Sequence, residues 1–378
     1  MQADTDISGF RNITIRGNTM KGHESGWFVY AAGHTGGMRN LKVESNEIDG
    51  SIVVYYGLIN SSIADNKVKS ITFINDYVYS GYSLSALKGN IISGNVIKAT
   101  SQSGSGITAT GYGLAEVTGN RITGITNSSG ILLTSVDGAL VSNNFVQTQG
   151  QGTTHGISLS KSSNVKLVFN SVHTTGTDLS QARAFYSGGG NSGLTVKNNI
   201  FSNSGGGYAA VFDAAPGGTN DIDYNNYHSS GGKLGKFAGT DYTSLSAWGQ
   251  AVKGDANSKA VNPFFKSTTE PSINHISLNN AGITVGSITK DIDGTTRDAS
   301  KPDIGAKEYT PAAVDAGLEG FTSPTSPLTG TSVPVKVLLR NQGTNILSSA
   351  SIQWTVNGVP QIPFNWSGSL ASGTSEEV

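Results

Sequence analysis

The chain of 378 residues contains no cysteine, so it has neither a disulfide framework nor a thiolate metal site. Charge is scarce as well. Asp, Glu, Lys and Arg together make up 13% of the residues, where about 25% is usual. The formal net charge is −1 and no basic stripe appears, which argues against nucleic acid and anionic membrane surfaces as partners. No apolar run approaches the roughly 18 residues that a membrane-spanning helix needs, so no membrane insertion is expected. The first residues, Met1 to Asp6, lack the basic and apolar pattern of a signal peptide. What the chain has in excess is glycine, 50 residues of it, about twice the usual share of ~7%. Abundant tight turns follow.

Those turns come at an even interval. Asn18, Asn46, Asn66, Asn95, Asn120, Asn144, Asn170, Asn199 and Asn225 recur in one apolar frame. Each has an aliphatic residue three positions before it, such as Val117, Val141, Leu167 and Val196. Each has an apolar residue two positions after it, such as Ile122, Val146, Val172 and Phe201. The mean spacing of about 26 residues is a solenoid period. Alternation in segments such as Leu194-Thr195-Val196 has the two-residue period of strands. A Gly-apolar pair starts a further strand at Gly106, Gly130 and Gly156, each 14 residues before its Asn. A unit of this size cannot bury its apolar face alone, so the units must stack into a parallel β-helix. At roughly 4.8 Å per strand, nine turns give a rod about 40 Å long. The Asn is expected at a bend, tolerating an unusual backbone angle and bonding its counterpart one turn away.

The array extends to about residue 228 within a first domain of 1–310, whose closing segment, 229–310, is irregular. Thr243 to Val252 has the pattern of a short helix capped by Thr243 or Ser244. The stretch from Asp291-Ile292-Asp293-Gly294 through Arg297 to Asp303-Ile304-Gly305-Ala306-Lys307-Glu308 ends the domain. On this stretch and the repeats, residues 7 to 309 resemble the right-handed parallel β-helix proteins of the pectate-lyase-like superfamily, in its secreted bacterial form. Asp291, Asp293 and Asp303 around Arg297 are expected to form a structural ion pair and turn. Residues 311–378 differ in character. Val333, Val335, Val337 and Leu339 alternate, as do Ala350, Ile352, Trp354 and Val356, and Asn357-Gly358 is a hairpin signal. This part resembles an immunoglobulin-like β-sandwich but falls short of the usual ~100 residues. It is expected to be truncated, with further domains in a longer chain. The expected fold is thus all-β: a right-handed parallel β-helix solenoid followed by a partial β-sandwich.

The resemblance implies two chemistries. Many such proteins cleave acidic polysaccharides by β-elimination, which needs a cation, often calcium, at the uronate carboxylate and a base at the neighbouring carbon. Hydrolytic relatives place two or three carboxylates around the glycosidic bond. The outward column twelve residues before the Asn reads Ser83, Thr108, Leu132, Ser158, Ser187 and Asp213. It contains a single acid, and no Asp-Asp pair occurs in the array. The nearest catalytic candidates are Lys161 or Arg183 as base, with Asp213 in a cation site. His155 and Tyr186 are polar neighbours suited to carbohydrate. A second aromatic region holds Trp27, Tyr30, Tyr55, Tyr56, Tyr77, Tyr79 and Tyr82 beside Asp76. Within it Tyr56, Tyr77 and Tyr79 are candidates for an exposed sugar platform.

With no complete catalytic constellation, the expected function is polysaccharide binding or adhesion on the lateral face. The expected protein is bacterial, secreted or held at the cell surface. A polysaccharide lyase and a structural spacer are the alternatives. No cofactor is required; calcium is the cation that a lyase site would take.

Overall fold

The computed structural model describes residues 10–22, 26–30, 38–55, 57–75, 87–100, 104–286, 288–324 and 332–378. Three long sheets run the length of the solenoid. The first stacks nine strands from Thr14–Arg16 to Asp221–Asp223, and the second nine from Thr19–Met20 to Asn226–Ser229. The third runs from Trp27–Tyr30 to Gly235–Phe237 and is closed by the antiparallel strand Thr240–Tyr242. Every other pairing in these sheets is parallel, so the chain coils through all three faces once per repeat. No helix among the described residues is long and apolar enough to cross a membrane.

The alternating apolar residues form columns inside the coil. Val117, Val141, Leu167 and Val196 are successive register partners and all are buried. Ile122, Val146, Val172, Phe201 and Tyr227 form a second column, and Ile107, Ile131, Ile157 and Phe185 a third. Gly106, Gly130 and Gly156, each just before a residue of the third column, are tightly packed inside the coil. A Cβ on Gly156 would lie 2.1 Å from Val172 Cγ1 and 2.4 Å from Ala184 O, so only hydrogen fits there.

The nine Asn residues form one continuous ladder. Asn144 Nδ2 donates to Asn170 Oδ1 at 2.9 Å and to Val117 O at 2.8 Å. Its Oδ1 accepts the backbone N–H and the Nδ2 of Asn120, both at 3.0 Å. The pattern repeats from Asn18 to Asn225. One expectation is corrected. The left-handed backbone angle falls on the residue before each ladder Asn, for example Asn143 (φ 53°), Phe169 (φ 55°), Asn198 (φ 56°) and Tyr224 (φ 58°). The ladder Asn supplies the bonding and its predecessor supplies the corner.

Beyond the array, the helix Leu245–Val252, capped by Ser244, covers the last turn with the buried Trp248. Asp255 closes the ladder, accepting from Tyr227 Oη, Trp248 Nε1, Ser258 Oγ and Asn225 Nδ2. The chain then turns back along the outer face of the second sheet. Asn143 Nδ2 donates to Lys290 O, Asn198 to Ile283 O, and Asn226 to Val261 O. Three Asn-Asn pairs therefore divide their labour, one member in the ladder and the other holding the closing segment. This cover buries the outward-facing Phe145 and Ile200. Arg297 fastens it through Glu308, Asn143 and Gly305 O, with its guanidinium 4.0 Å above the Phe169 ring. Asp291 accepts the N–H groups of Asp293, Thr295 and Glu308. Asp303 accepts the N–H groups of Asn280 and Tyr309, while Asp293 pairs with Arg121 and Lys307, so the turn forms as expected but the ion-pair partner of Arg297 is Glu308 rather than an aspartate.

The last part forms small antiparallel sheets consistent with a β-sandwich. Ala316–Ser323, Lys336–Asn341 and Ser375–Glu377 make one sheet, and Leu347–Ile352 with Phe364–Leu370 another. Leu339, Leu347, Trp366 and Leu370 pack between them. The Asn357-Gly358 turn has φ of 49° and 82°, and it joins Thr355–Val356 to Val359–Pro360.

Candidate functional site

On the outer face of the third sheet, residues in register form columns across the turns. Thr108, Leu132, Ser158, Tyr186 and Val211 make up one of these columns. This departs from the sequence reading by one residue at Tyr186 and by two at Val211. Tyr186 takes the outward place expected of Ser187, which is buried, and Val211 the place expected of Asp213. The departure grows because the stretch from the outward residue to the ladder Asn lengthens, from 12 positions at Ser158 to 13 at Tyr186 and 14 at Val211. A fixed count back from the Asn fails once the intervening turn changes length.

The column steps from small residues to a large one at Tyr186, and the step makes a wall. An open groove of about 770 Å³ runs beside it along strands Ser129–Thr134 and Thr154–Ser160. Ser129, Leu132, His155 and Ser158 lie along its floor. Tyr186 and the turn Gly188–Gly190 flank it, and Lys161 stands at one end.

Four of the expected residues meet at Tyr186. Its hydroxyl donates to Asp213 Oδ2. Its ring stacks on His155, with centroids 4.5 Å apart and planes 24° from parallel. The Arg183 guanidinium lies 4.5 Å from the ring centroid. Arg183 also donates to Ser180 O at 3.3 Å and Gln181 Oε1 at 3.2 Å, so its charge meets neutral oxygens. Burial, and then the bond to Asp213, raise the Tyr186 pKa, which keeps the hydroxyl protonated and donating. Burial and then the Arg183 charge lower His155 to about 4, against the opposing pull of Asp213. The imidazole is neutral at pH 7, and its Nε2 is buried with no hydrogen-bond partner.

Lys161 stands apart from this group. It occupies a left-handed corner (φ 50°) six residues beyond His155, roughly 20 Å along an extended strand. Lys161 and Arg183 therefore cannot act on one sugar. Asp213 brings one carboxylate to this site, and its Oδ2 accepts from Tyr186. No group of three or more His, Asp or Glu among the described residues is arranged to hold a metal ion. Tyr56, Tyr77 and Tyr79, with Asp76, Tyr82 and Ser83, lie outside the described residues; Trp27 and Tyr55 are half-buried.

Sequence reasoning named Leu132, His155 and Ser158 of the groove floor but missed Ser129 and a neighbouring cluster. Tyr208, the register partner of Arg183, donates to Asp241 Oδ1 at 2.9 Å, with Lys233 Nζ 5.3 Å from its ring centroid and 3.2 Å from Asp241. The signal was present as another Tyr, Asp and cation, but Asp241 lies past the end of the repeat, where no period predicts its place.

Residues 58–227 match the family model described as "Right handed beta helix region". Comparison with curated proteins gives no match, and neither does comparison with solved structures. The match and the stacked sheets agree that this chain is built around a right-handed parallel β-helix.

Proposed function

We propose that this chain is a secreted or surface-held bacterial protein that binds polysaccharide, without cleaving it, in the groove beside Tyr186. The observation that carries this reading is the fixed aromatic wall. Tyr186 is half-exposed, oriented by Asp213, and set against an open groove with hydroxyls and one leucine along its floor. An aromatic face packs on the apolar side of a sugar ring while hydroxyls meet its edge. An open trough suits an internal stretch of a polymer better than a small molecule. Arg183 against the Tyr186 ring and Lys161 in the groove lining favour an anionic glycan. The sequence resemblance to secreted bacterial β-helix proteins supports the location, and the antiparallel C-terminal sheets are in keeping with an appended immunoglobulin-like module.

The lyase reading has one specific observation in its favour. His155 is neutral, and its free Nε2 adjoins a protonated tyrosine and a guanidinium. In that reading His155 is a better proton acceptor than Arg183, because an arginine stays protonated in proteins. A panel of neutral and acidic glycans separates the readings. Retention on the protein with no rise in the absorbance of unsaturated uronates supports binding. A rise that depends on His155 supports the lyase. Neither retention nor product leaves the spacer.

A further inference from the structure

The closing segment meets the C-terminal sheets at one compact joint. Asn274 Nδ2 donates to Asp315 Oδ2 at 3.0 Å, and the Ile276 N–H donates to Gln342 Oε1 at 3.1 Å. Between these bonds lies His275, 1% exposed. Its Nδ1 accepts the N–H of Ser277 at 3.2 Å and so caps the short helix Ile276–Leu278. That bond fixes the tautomer: Nδ1 is bare and Nε2 carries the proton. The Nε2 points toward Glu319 Oε1 at 3.5 Å, too far for a sound hydrogen bond, and it has no other partner. Gln342 Nε2 is likewise buried without a partner. Two orphaned donors make this joint weaker than its area implies.

The charged groups facing His275 are Glu319 and Arg340. Glu319 comes from strand Ala316–Ser323 and is paired with Arg340 of strand Lys336–Asn341. Ser375 Oγ donates to the other Glu319 oxygen at 3.1 Å. The Phe264 ring lies parallel to the imidazole with centroids 5.9 Å apart. Asp315 and Tyr309 stand one contact away, through Asn274.

We propose that this joint is an acid-release hinge between the β-helix and the C-terminal sheets, with His275 as its trigger. A second proton can enter only at Nδ1, where it meets the Ser277 N–H donor to donor. The cap of Ile276–Leu278 is lost, and with it the orientation of the Ile276 N–H toward Gln342. Attraction to Glu319 does not compensate, because Arg340 already holds that carboxylate. Burial first, and then Arg340, lower His275 to about 4, with Glu319 opposing. The neutral form therefore stabilises the joint fully above the unfolded value near 6.5, and that contribution is lost as pH falls through 4.

The test is hydrogen exchange of the whole chain between pH 7 and pH 4, corrected for intrinsic rates. Peptides covering Asn274–Leu278 and Ala316–Ser323 are expected to lose protection about tenfold relative to strand Leu140–Ser142. In His275→Asn, whose amide oxygen still accepts the Ser277 N–H but does not titrate, protection persists. Equal loss in both proteins overturns the proposal, since Glu319 or Asp315 then drives the release; no loss in the wild type also overturns it. Should the variant fail to fold, the His275 ring is followed by NMR in the wild type. Its protonation coincides with the loss of protection if the hinge is real; a ring that stays neutral through the loss overturns it.

Discussion

Asn144 uses every hydrogen-bonding site of its side chain inside the corner of the coil. Truncating it takes a partner from the Val117 carbonyl, the Asn120 backbone N–H and the Asn120 Nδ2 inside the coil. Asn144→Ala is expected to cost about 2–4 kcal/mol in denaturant unfolding. The same change at Asn18, which is exposed at the end of the ladder, is expected to cost under about 1 kcal/mol. Equal costs would show that the ladder does not act as a buried unit. The same scale governs His155. Its folded pKa of about 4 lies below the unfolded value, so the stability it contributes is complete above pH 6.5 and disappears as pH falls through 4. Replacing it with Gln is expected to flatten the pH dependence of unfolding in that window, by at most about 1.4 kcal/mol per pH unit. An unchanged slope would mean that His155 is not shielded from water as described.

At the level of elements, the sequence revealed strands and corners better than it revealed what covers them. Columns such as Val117-Val141-Leu167-Val196 were legible because inward residues must be apolar in every turn. The helix Leu245–Val252 and its Ser244 cap were legible from local chemistry alone. The return of residues 254–309 along the second sheet was not, because its bonds come from Asn143, Asn198 and Asn226, whose residue type the corners alone would explain. Arg297 is the clasp of that return. Arg297→Met leaves the Glu308 carboxylate without its cation and Asn143 Oδ1 without its donor in a buried place, and a loss of about 3–5 kcal/mol is expected. Hydrogen exchange should rise first in residues 281–309, while strands such as Leu140–Ser142 stay protected. Simultaneous loss everywhere would mean that the closing segment and the coil form one cooperative unit.

For the whole molecule, the stacking of turns makes a face out of residues far apart in sequence. His155, Arg183, Tyr186 and Asp213 come from three successive turns and meet around one ring. The residue types at this site could be read from the sequence, but their meeting depended on a lengthening of the stretches before Asn199 and Asn225 that no repeat count supplies. Lys161 belonged to the same list and falls about 20 Å of strand away, since side chains six residues apart on a strand share a face but not a place. The account rests on the Tyr186 wall as the seat of polysaccharide binding. The most direct test titrates the glycan best retained by the wild type against Tyr186→Phe and Tyr186→Ala, both checked for unchanged unfolding. The account expects Phe, which keeps the ring, to bind within about threefold of the wild type, and Ala to bind about tenfold or more weakly. Wild-type affinity in the Ala variant would contradict it.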